Sequence, residues 1–396
     1  MRVSHVAGSP VVARAGPFLL KGVVVALALC STRLPAAQWL SQAHFQVNSF
    51  VEDNVRLQAN GGKGSAGVEL GSHLALNLRD EISRWEIGVG TQRRHYVAAS
   101  GLDTTNIDLA AGITRDLERG HLVLDAAYRR DSTLSSEEGT SGLVQQRVRR
   151  ERRSLEGSWT HQADERLSLT FSSAYESVAY DKAALFGLSD YRYGRLATEV
   201  RYGMDERSSL FAELSYSIYE GSQRDYRARM PAIFIGGTRR SYGDWDLSVR
   251  AGVRKDHHET ATGSESGNSL IYGLSLKHAG PTDKLELALE RDARPAGIGE
   301  MLGTEHLALR WRRHLTPRWR LHVDADLYRN RRLLGLGTAR ERHFLRLMPR
   351  LSYQVGPEWR LVGGYRFRYQ RYEDAADSAR AGMLFFNIIH DQLPLP

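Results

Sequence analysis

The chain has 396 residues, 25% of them charged, with a formal net charge of +8 and a mean hydropathy of −0.42. These totals exclude a helical membrane protein and leave room for two soluble domains or one large barrel. The lone cysteine, Cys30, excludes an intramolecular disulfide.

The first stretch carries Arg2, Arg14, Lys21 and Arg33 and no acid. An apolar run, GVVVALALC from Gly22 to Cys30, is followed by small residues in LPAAQ from Leu34 to Gln38. A basic segment, a short apolar core too short to span a bilayer and small residues at a cut define an export signal over 1–37, with a mature domain over 38–396. Leu29 is bulky where lipidation at Cys30 would want a small residue. Taking those four bases from the 54, against 46 acids, leaves a mature charge of about +4. That balance gives no reason to expect nucleic acid as a partner.

Beyond Ala37 one unit recurs: about ten residues alternating apolar and polar, then a turn. Val68, Leu70, Leu74 and Leu76 share one parity, as do Leu122, Leu124, Ala126 and Tyr128, and then Leu167, Leu169, Phe171 and Tyr175. The segments opening at Trp245, Lys284, Trp319 and Trp359 repeat the scheme. Some turns are short and stereotyped: ADER at Ala163, MDER at Met204, YGD at Tyr242, TPR at Thr316, GPE at Gly356. Others are longer and polar: Asn60–Ala66, Ala98–Thr105, Asp131–Gly142, Glu220–Arg229, Asp256–Asn268, Arg331–Arg340 and Glu373–Ser378. The classes alternate, which predicts an all-β, transmembrane, antiparallel up-and-down β-barrel of about 18 strands (16 as the alternative), with short periplasmic turns and longer extracellular loops. The least regular strands lie around AIFIGG (Ala232 to Gly237) and near Arg147, and the last is expected over Arg380 to His390.

Trp85, Trp245, Trp319 and Trp359 each open a strand after a short turn, and Trp159 and Trp311 each close one before a short turn. Tyr96, Tyr128, Tyr175, Tyr216, Tyr328 and Tyr369 lie near long loops. Two aromatic girdles of this kind suit the two bilayer interfaces, so these six tryptophans are the candidate membrane girdle.

With the apolar parity outward, the other parity lines the lumen. It brings Arg250 and Arg254, then Glu286, Glu290 and Asp292, then His306, Arg310 and Arg312, then Arg320, His322, Asp324 and Asp326, then Arg346 and Arg350, and last Arg360, Arg366 and Arg368. Reversed, each of those arginines would meet lipid at about 2–4 kcal/mol near the midplane. The candidates for an anion-favouring wall are Arg310, Arg312, Arg320, Arg346, Arg350, Arg360, Arg366 and Arg368. An equally open reading is that facing acids and arginines pair into a ladder that braces the wall. RVRRERR (Arg147 to Arg153) lies beside a long loop and has two readings: contact with lipopolysaccharide phosphates, or a solvated strand extension.

Signals for chemistry are weak. KDHHE (Lys255 to Glu259) reads as a solvated outer loop, since neighbouring side chains in a strand diverge. NGGKGSAG (Asn60 to Gly67) lacks phosphate-loop spacing, and no G-x-S-x-G element is present. The expectation is therefore no catalytic residue, no metal and no cofactor.

FVEDNVRL (Phe50 to Leu57), the segment Tyr128 to Gln162 and RYEDAADSARAGMLFFNI (Arg371 to Ile388) resemble the outer-membrane β-barrel porins found with exopolysaccharide and exosortase systems. The resemblance implies a passage for polysaccharide or small solutes. It implies as partners the outer-membrane lipid, lipopolysaccharide and the barrel-insertion machinery, and it brings no catalytic residues. Such barrels close on an aromatic residue, whereas this chain closes on HDQLPLP (His390 to Pro396), so either Phe386 or Ile388 carries that signal or insertion is less efficient. The alternatives to a pore are a closed barrel acting as a surface scaffold or adhesin and, third, an outer-membrane hydrolase.

Overall fold

The computed structural model describes residues 38–142, 146–222, 225–241, 244–335 and 339–395. The proposed export signal, Cys30, Pro396 and the Tyr242 and Gly243 of the YGD turn lie outside the described residues.

Eighteen strands follow one another: β1 Gln38–Glu52, β2 Ser65–Arg79, β3 Ser83–Tyr96, β4 Thr104–Leu117, β5 Gly120–Ser132 and β6 Arg149–Gln162. Next come β7 Leu167–Tyr180, β8 Tyr191–Gly203, β9 Ser208–Gly221, β10 Tyr226–Ser241, β11 Trp245–Thr260 and β12 Gly263–Ala279. The last are β13 Asp283–Ala296, β14 Glu300–His314, β15 Trp319–Arg332, β16 Arg342–Gln354, β17 Trp359–Tyr372 and β18 Ser378–Leu395. Each pairs antiparallel with the next, and β1 pairs with β18 through Val47 opposite Ile388, so the sheet closes on itself and has no free edge. The count is the expected 18, and both irregular segments form strands, in β10 and β6.

The alternation sets the facing of every strand. In β9, Leu210, Leu214, Tyr216 and Ile218 are exposed on the outside while Ser217 and Tyr219 are buried inside. Around the barrel the exposed face is Leu, Ile, Val and Phe, and the buried groups include Glu52, Glu69, Asp256, Asp326 and Arg342. This inverts a water-soluble protein, in which a continuous apolar belt of that extent would be left in water.

The stereotyped turns have a local cause. The Asp80 carboxylate accepts the amides of Ile82 and Ser83 at 2.9 and 2.6 Å, and Asp164 accepts those of Arg166 and Leu167 at 2.7 and 2.8 Å. Asp205 accepts Arg207 at 2.7 Å, and the Thr316 hydroxyl accepts the Trp319 amide at 3.0 Å. In these four reversals one short polar side chain closes the turn, so each is encoded within four residues.

Several expectations are corrected at the opposite end. Glu220–Arg229 and Asp256–Asn268 are not long loops: β9 and β10 are linked by 222–225, and β11 and β12 by 261–262 alone. KDHHE is therefore strand, with Asp256 and His258 buried inside the barrel, because its alternation continues that of β11. Tyr96 and Tyr328 do not stand on an outer rim. Both have inward parity; Tyr96 is buried against Phe50, and Tyr328 stacks on His306 at 4.1 Å between centroids. Trp39, not counted among the strand tryptophans, lies in β1 at the short-turn end with the other six and is exposed. HDQLP does not trail the last strand but extends it, since β18 pairs along β1 as far as Leu395 opposite Ser41.

Candidate functional site

The interior has two unlike halves. Toward the short turns, inward groups such as His73, Asp125, Ser172, Lys277, Glu286 and Arg312 are exposed to a water-accessible lumen. Toward the long loops the inward groups are packed shut: Tyr180, Tyr191, Tyr219, Tyr226 and Met301 form one cluster, Leu57, Phe344, Ala379 and Ala381 another.

The filling includes the β13–β14 tip, where Tyr219 donates to the Ala296 carbonyl and the Gly297 amide to Glu137, and two longer connections that turn inward. Residues 53–64 bring Val55 against Phe50 and Met383 and bury Leu57 against Phe344. The second, 133–148, begins with a helical turn, Thr133–Ser136, tied off where the Thr133 hydroxyl donates to the Gln146 carbonyl at 2.6 Å. Glu137 then acts as a hub. Its carboxylate accepts the hydroxyls of Thr140 (2.8 Å), Ser141 (2.6 Å) and Tyr180 (2.7 Å). Gly142 turns the chain back at φ +75°, with its amide on the Glu137 carbonyl at 2.8 Å.

This connection leaves from β5 and is gripped by the far wall. Glu138 accepts Arg368 at 3.0 Å and Arg346 at 3.2 Å. Asn330 donates to the carbonyls of Gly139 (3.1 Å) and Thr140 (2.7 Å), and Arg342 donates to the Glu138 carbonyl at 2.7 Å. Arg342 is fully buried, held also by Gln370 at 2.9 Å and lying over the Phe344 ring at 4.6 Å. Buried carbonyls that could not reach water in the lumen are thus satisfied by the wall. A cavity of about 180 Å³ remains beside the connection, lined by Glu52, Gln92, Arg94, Glu138, Arg366 and Arg368 among others.

The eight candidate arginines all point inward, but they divide into two sets. At the level of the infolded connection they are consumed by acids: Arg368 by Glu52 (2.5 Å) and Glu138, Arg366 by Glu52 (3.0 Å), Arg346 by Asp326 (2.7 Å) and Glu138. Arg310 bridges Asp326 at 2.8 Å and Asp324 at 3.5 Å, and Arg350 meets Asp324. Toward the short turns, Arg360 pairs with Asp391 at 3.2 Å, while Arg312 and Arg320 meet no acid within ion-pair distance among the described residues. Across neighbouring strands Arg312 stands opposite His322, and His322 opposite Arg350, so three basic side chains form one transverse row on the open half-lumen. Brace and basic lining, which composition left as alternatives, share the wall: pairs dominate beside the connection, and toward the short turns Arg350 and Arg360 still hold an acid while Arg312 and Arg320 do not.

Glu52, Glu137, Glu138, Asn330, Arg342 and Gln370 were missed in the sequence. The available signal was an imbalance: inward arginines in β16 and β17 outnumber the acids of their neighbouring strands, so the compensating carboxylates had to come from farther away, Glu52 from the end of β1 and Glu138 from a connection.

The candidate girdle residues Trp85, Trp159, Trp245, Trp311, Trp319 and Trp359 lie at the short-turn ends of β3, β6, β11, β14, β15 and β17 with outward parity. Trp245 stacks on His278 at 4.4 Å, Trp319 meets Tyr353 at 4.7 Å and Trp359 meets His390 at 4.6 Å. Of RVRRERR, Arg150 and Arg152 turn inward onto Asp131 (2.7 Å) and Glu176 (2.6 Å), and Arg149 and Arg153 turn outward. Among the described residues no three His, Cys, Asp or Glu side chains gather as a metal site.

No protein-family model and no curated protein matches the sequence. Solved structures that match include the outer membrane protein opdK of Pseudomonas aeruginosa, at 10% identity over 89% of this chain and 99% of that one, TM-score 0.48. They also include P. aeruginosa OccK2 (OpdF), at 13% identity over 89% and 98%, TM-score 0.48, and OpdK with vanillate, at 11% over 89% and 99%, TM-score 0.48. None of their residues is carried over to this chain.

Proposed function

We propose that the protein is an outer-membrane channel for small anionic solutes, narrowed at its extracellular end by the connection 133–148 and lined on its periplasmic side by arginines. The observation that carries this is Arg312 and Arg320, which face the open half-lumen and meet no acid within ion-pair distance among the described residues, with His322 and the Asp324-paired Arg350 alongside. An excess of fixed positive charge on the wall of an aqueous passage concentrates anions and repels cations. The apolar belt supports the bilayer as surroundings, and the short turns and tryptophan ends then face the periplasm. Export through residues 1–37 belongs to the same reading. No group is assigned a catalytic role.

A polymer conduit is the weaker reading, because the extracellular half holds only small residual space beside the anchored connection. Passage of a polysaccharide would require that connection to leave. The test is single-channel conductance of the refolded protein in a planar bilayer under asymmetric KCl. Small stable steps with a reversal potential on the chloride side are expected. Folded, inserted protein that passes no current would replace the channel with a closed surface scaffold.

A further inference from the structure

The wall is incompletely zipped between β4 and β5, as it also is between β12 and β13, which pair only as far as Tyr272 opposite Arg291. The β3–β4 ladder runs to Arg94 opposite Thr104, and the β5–β6 ladder runs to Ser132 opposite Arg149. Between them, β4 and β5 pair only as far as Ile107 opposite Arg130. Above that point the strands part, and a groove of about 590 Å³ opens at the long-loop end, lined by Ile107, Phe186, Arg93, Arg130, Arg149 and Lys182 among others.

Part of the charge in this groove is not matched by acids. Arg93 and Arg130 have outward parity, in line with Val89 on β3 and Tyr128 on β5. Neither they nor Lys182 meet an acid within ion-pair distance among the described residues. Arg147 spans the split to the Asp103 carbonyl, and Arg149 pairs with Asp181 at 3.4 Å, which leaves Arg93, Arg130 and Lys182 as the unmatched charges. The lining acids are otherwise engaged, Asp131 by Arg150 at 2.7 Å and Asp103 by His95 at 2.7 Å. Glu151, which stands across from Arg130, lies 3.9 Å from Arg153. Elsewhere on that rim several outward arginines stand against acids: Arg227 with Glu220 at 3.4 Å, Arg229 with Glu259 at 3.4 Å and Arg329 with Glu341 at 2.6 Å.

We propose that the split between β4 and β5 is a binding site for the phosphorylated head of an outer-leaflet glycolipid, held by Arg93, Arg130 and Lys182. The groove sits directly above the apolar belt, where Leu109, Tyr128 and Leu155 give way to charged residues. A headgroup phosphate at that height has its acyl chains on the belt and its oxygens at the guanidiniums, which bind phosphate by paired, charge-assisted hydrogen bonds. Ile107 and Phe186 supply an apolar floor to the same groove. A bound phosphate would tie β3 to β5 across the place where backbone pairing between β4 and β5 has stopped. The site requires the long-loop end to face the outside, but not that the lumen conducts.

The test is native mass spectrometry of the full chain, folded in detergent, titrated with a bis-phosphorylated glucosamine disaccharide lipid, with the same lipid after dephosphorylation, and with inorganic phosphate. The expected result is at least tenfold tighter retention of the phosphorylated lipid by the wild type. The Arg93→Gln/Arg130→Gln variant loses that preference, while Arg227→Gln/Arg229→Gln, which removes the same charge at the paired rim, keeps it. Equal retention by both variants overturns the site, as does equal binding of the dephosphorylated lipid. Binding of inorganic phosphate without lipid retention assigns the groove to free anions instead and overturns the glycolipid. Should the double variant fail to fold, the single Arg93→Glu change at an exposed side chain gives the same decision. Conductance is measured in parallel, so a silent barrel that retains the lipid separates this site from the channel reading.

Discussion

Glu138, on a connection, sits between Arg368 of β17 at 3.0 Å and Arg346 of β16 at 3.2 Å, although Arg368 lies 230 positions away in sequence. Both oxygens of one buried carboxylate thus hold a loop from one side of the barrel against the opposite wall. Replacing it by glutamine keeps the shape and removes the charge. The two arginines retain Glu52 and Asp326, so the expected loss of folding stability is moderate, about 1–3 kcal/mol. The channel-specific readout is a larger single-channel conductance with more frequent open-state noise, and unchanged conductance would detach this pair from the constriction.

Gly142 is a second handle on the same element. Its φ of +75° disfavours any side chain, and a Cβ there would run into Arg342 Nε and the Tyr372 hydroxyl. Gly142→Ala is expected to cost more than about 1 kcal/mol and to displace the turn. Protease sensitivity within 133–148 should rise, and intact protection would show that the connection tolerates the change.

The pH dependence follows from Glu138, which lies in a connection outside the strands. Burial by itself would raise its carboxyl; Arg368, Arg366 and Arg346 outweigh that and hold it below its ordinary value. A depressed carboxyl contributes anchorage that is fully present above its unfolded pKa and lost as pH falls through the folded one. Conductance should stay level from neutral pH down through the usual carboxylate range and rise only in more acidic solution. An opening already between pH 5 and 6 would point to another group.

The two sets of arginines predict different phenotypes. Arg312→Gln with Arg320→Gln should shift the reversal potential toward zero and leave stability within about 0.5 kcal/mol, since neither meets an acid among the described residues. Arg366→Gln with Arg368→Gln should instead destabilise the fold, because Glu52 and Glu138 would be left buried with fewer partners. Denaturant titration alongside bilayer recording separates the two. Equal effects on stability would remove the distinction between brace and lining.

The outward face has its own test. Leu214→Arg, on the exposed belt of β9, should cost about 2–4 kcal/mol in folding into lipid vesicles, while Ser215→Arg beside it turns to the lumen and should be tolerated. Similar penalties at both positions would contradict the assigned facing.

The strand count, the facing of β17 and the short turns were legible because each is settled locally. Arg360, Arg366 and Arg368 cannot exchange places with Leu361, Tyr365 and Phe367 without meeting lipid, and Asp164 closes its own turn within four residues. The same alternation placed Tyr96 and Tyr328 inward, a parity that nearness to a long loop obscured. KDHHE was misplaced because charged residues at the end of a long strand resemble a loop in composition.

The sequence by itself determined the barrel: period-two alternation, punctuated by one-residue turn signals, leaves one register in which apolar side chains face hydrocarbon and arginines face water. Only the tertiary structure decided which arginines remain available to a solute. Glu138 reaches Arg368 through a connection whose destination no local pattern specifies, and Glu52 reaches Arg366 from the end of β1, two strands away around the closed sheet. A strand's facing is set by the solvent on either side of it. An infolded loop's position is set by partners that become neighbours only after the barrel has closed.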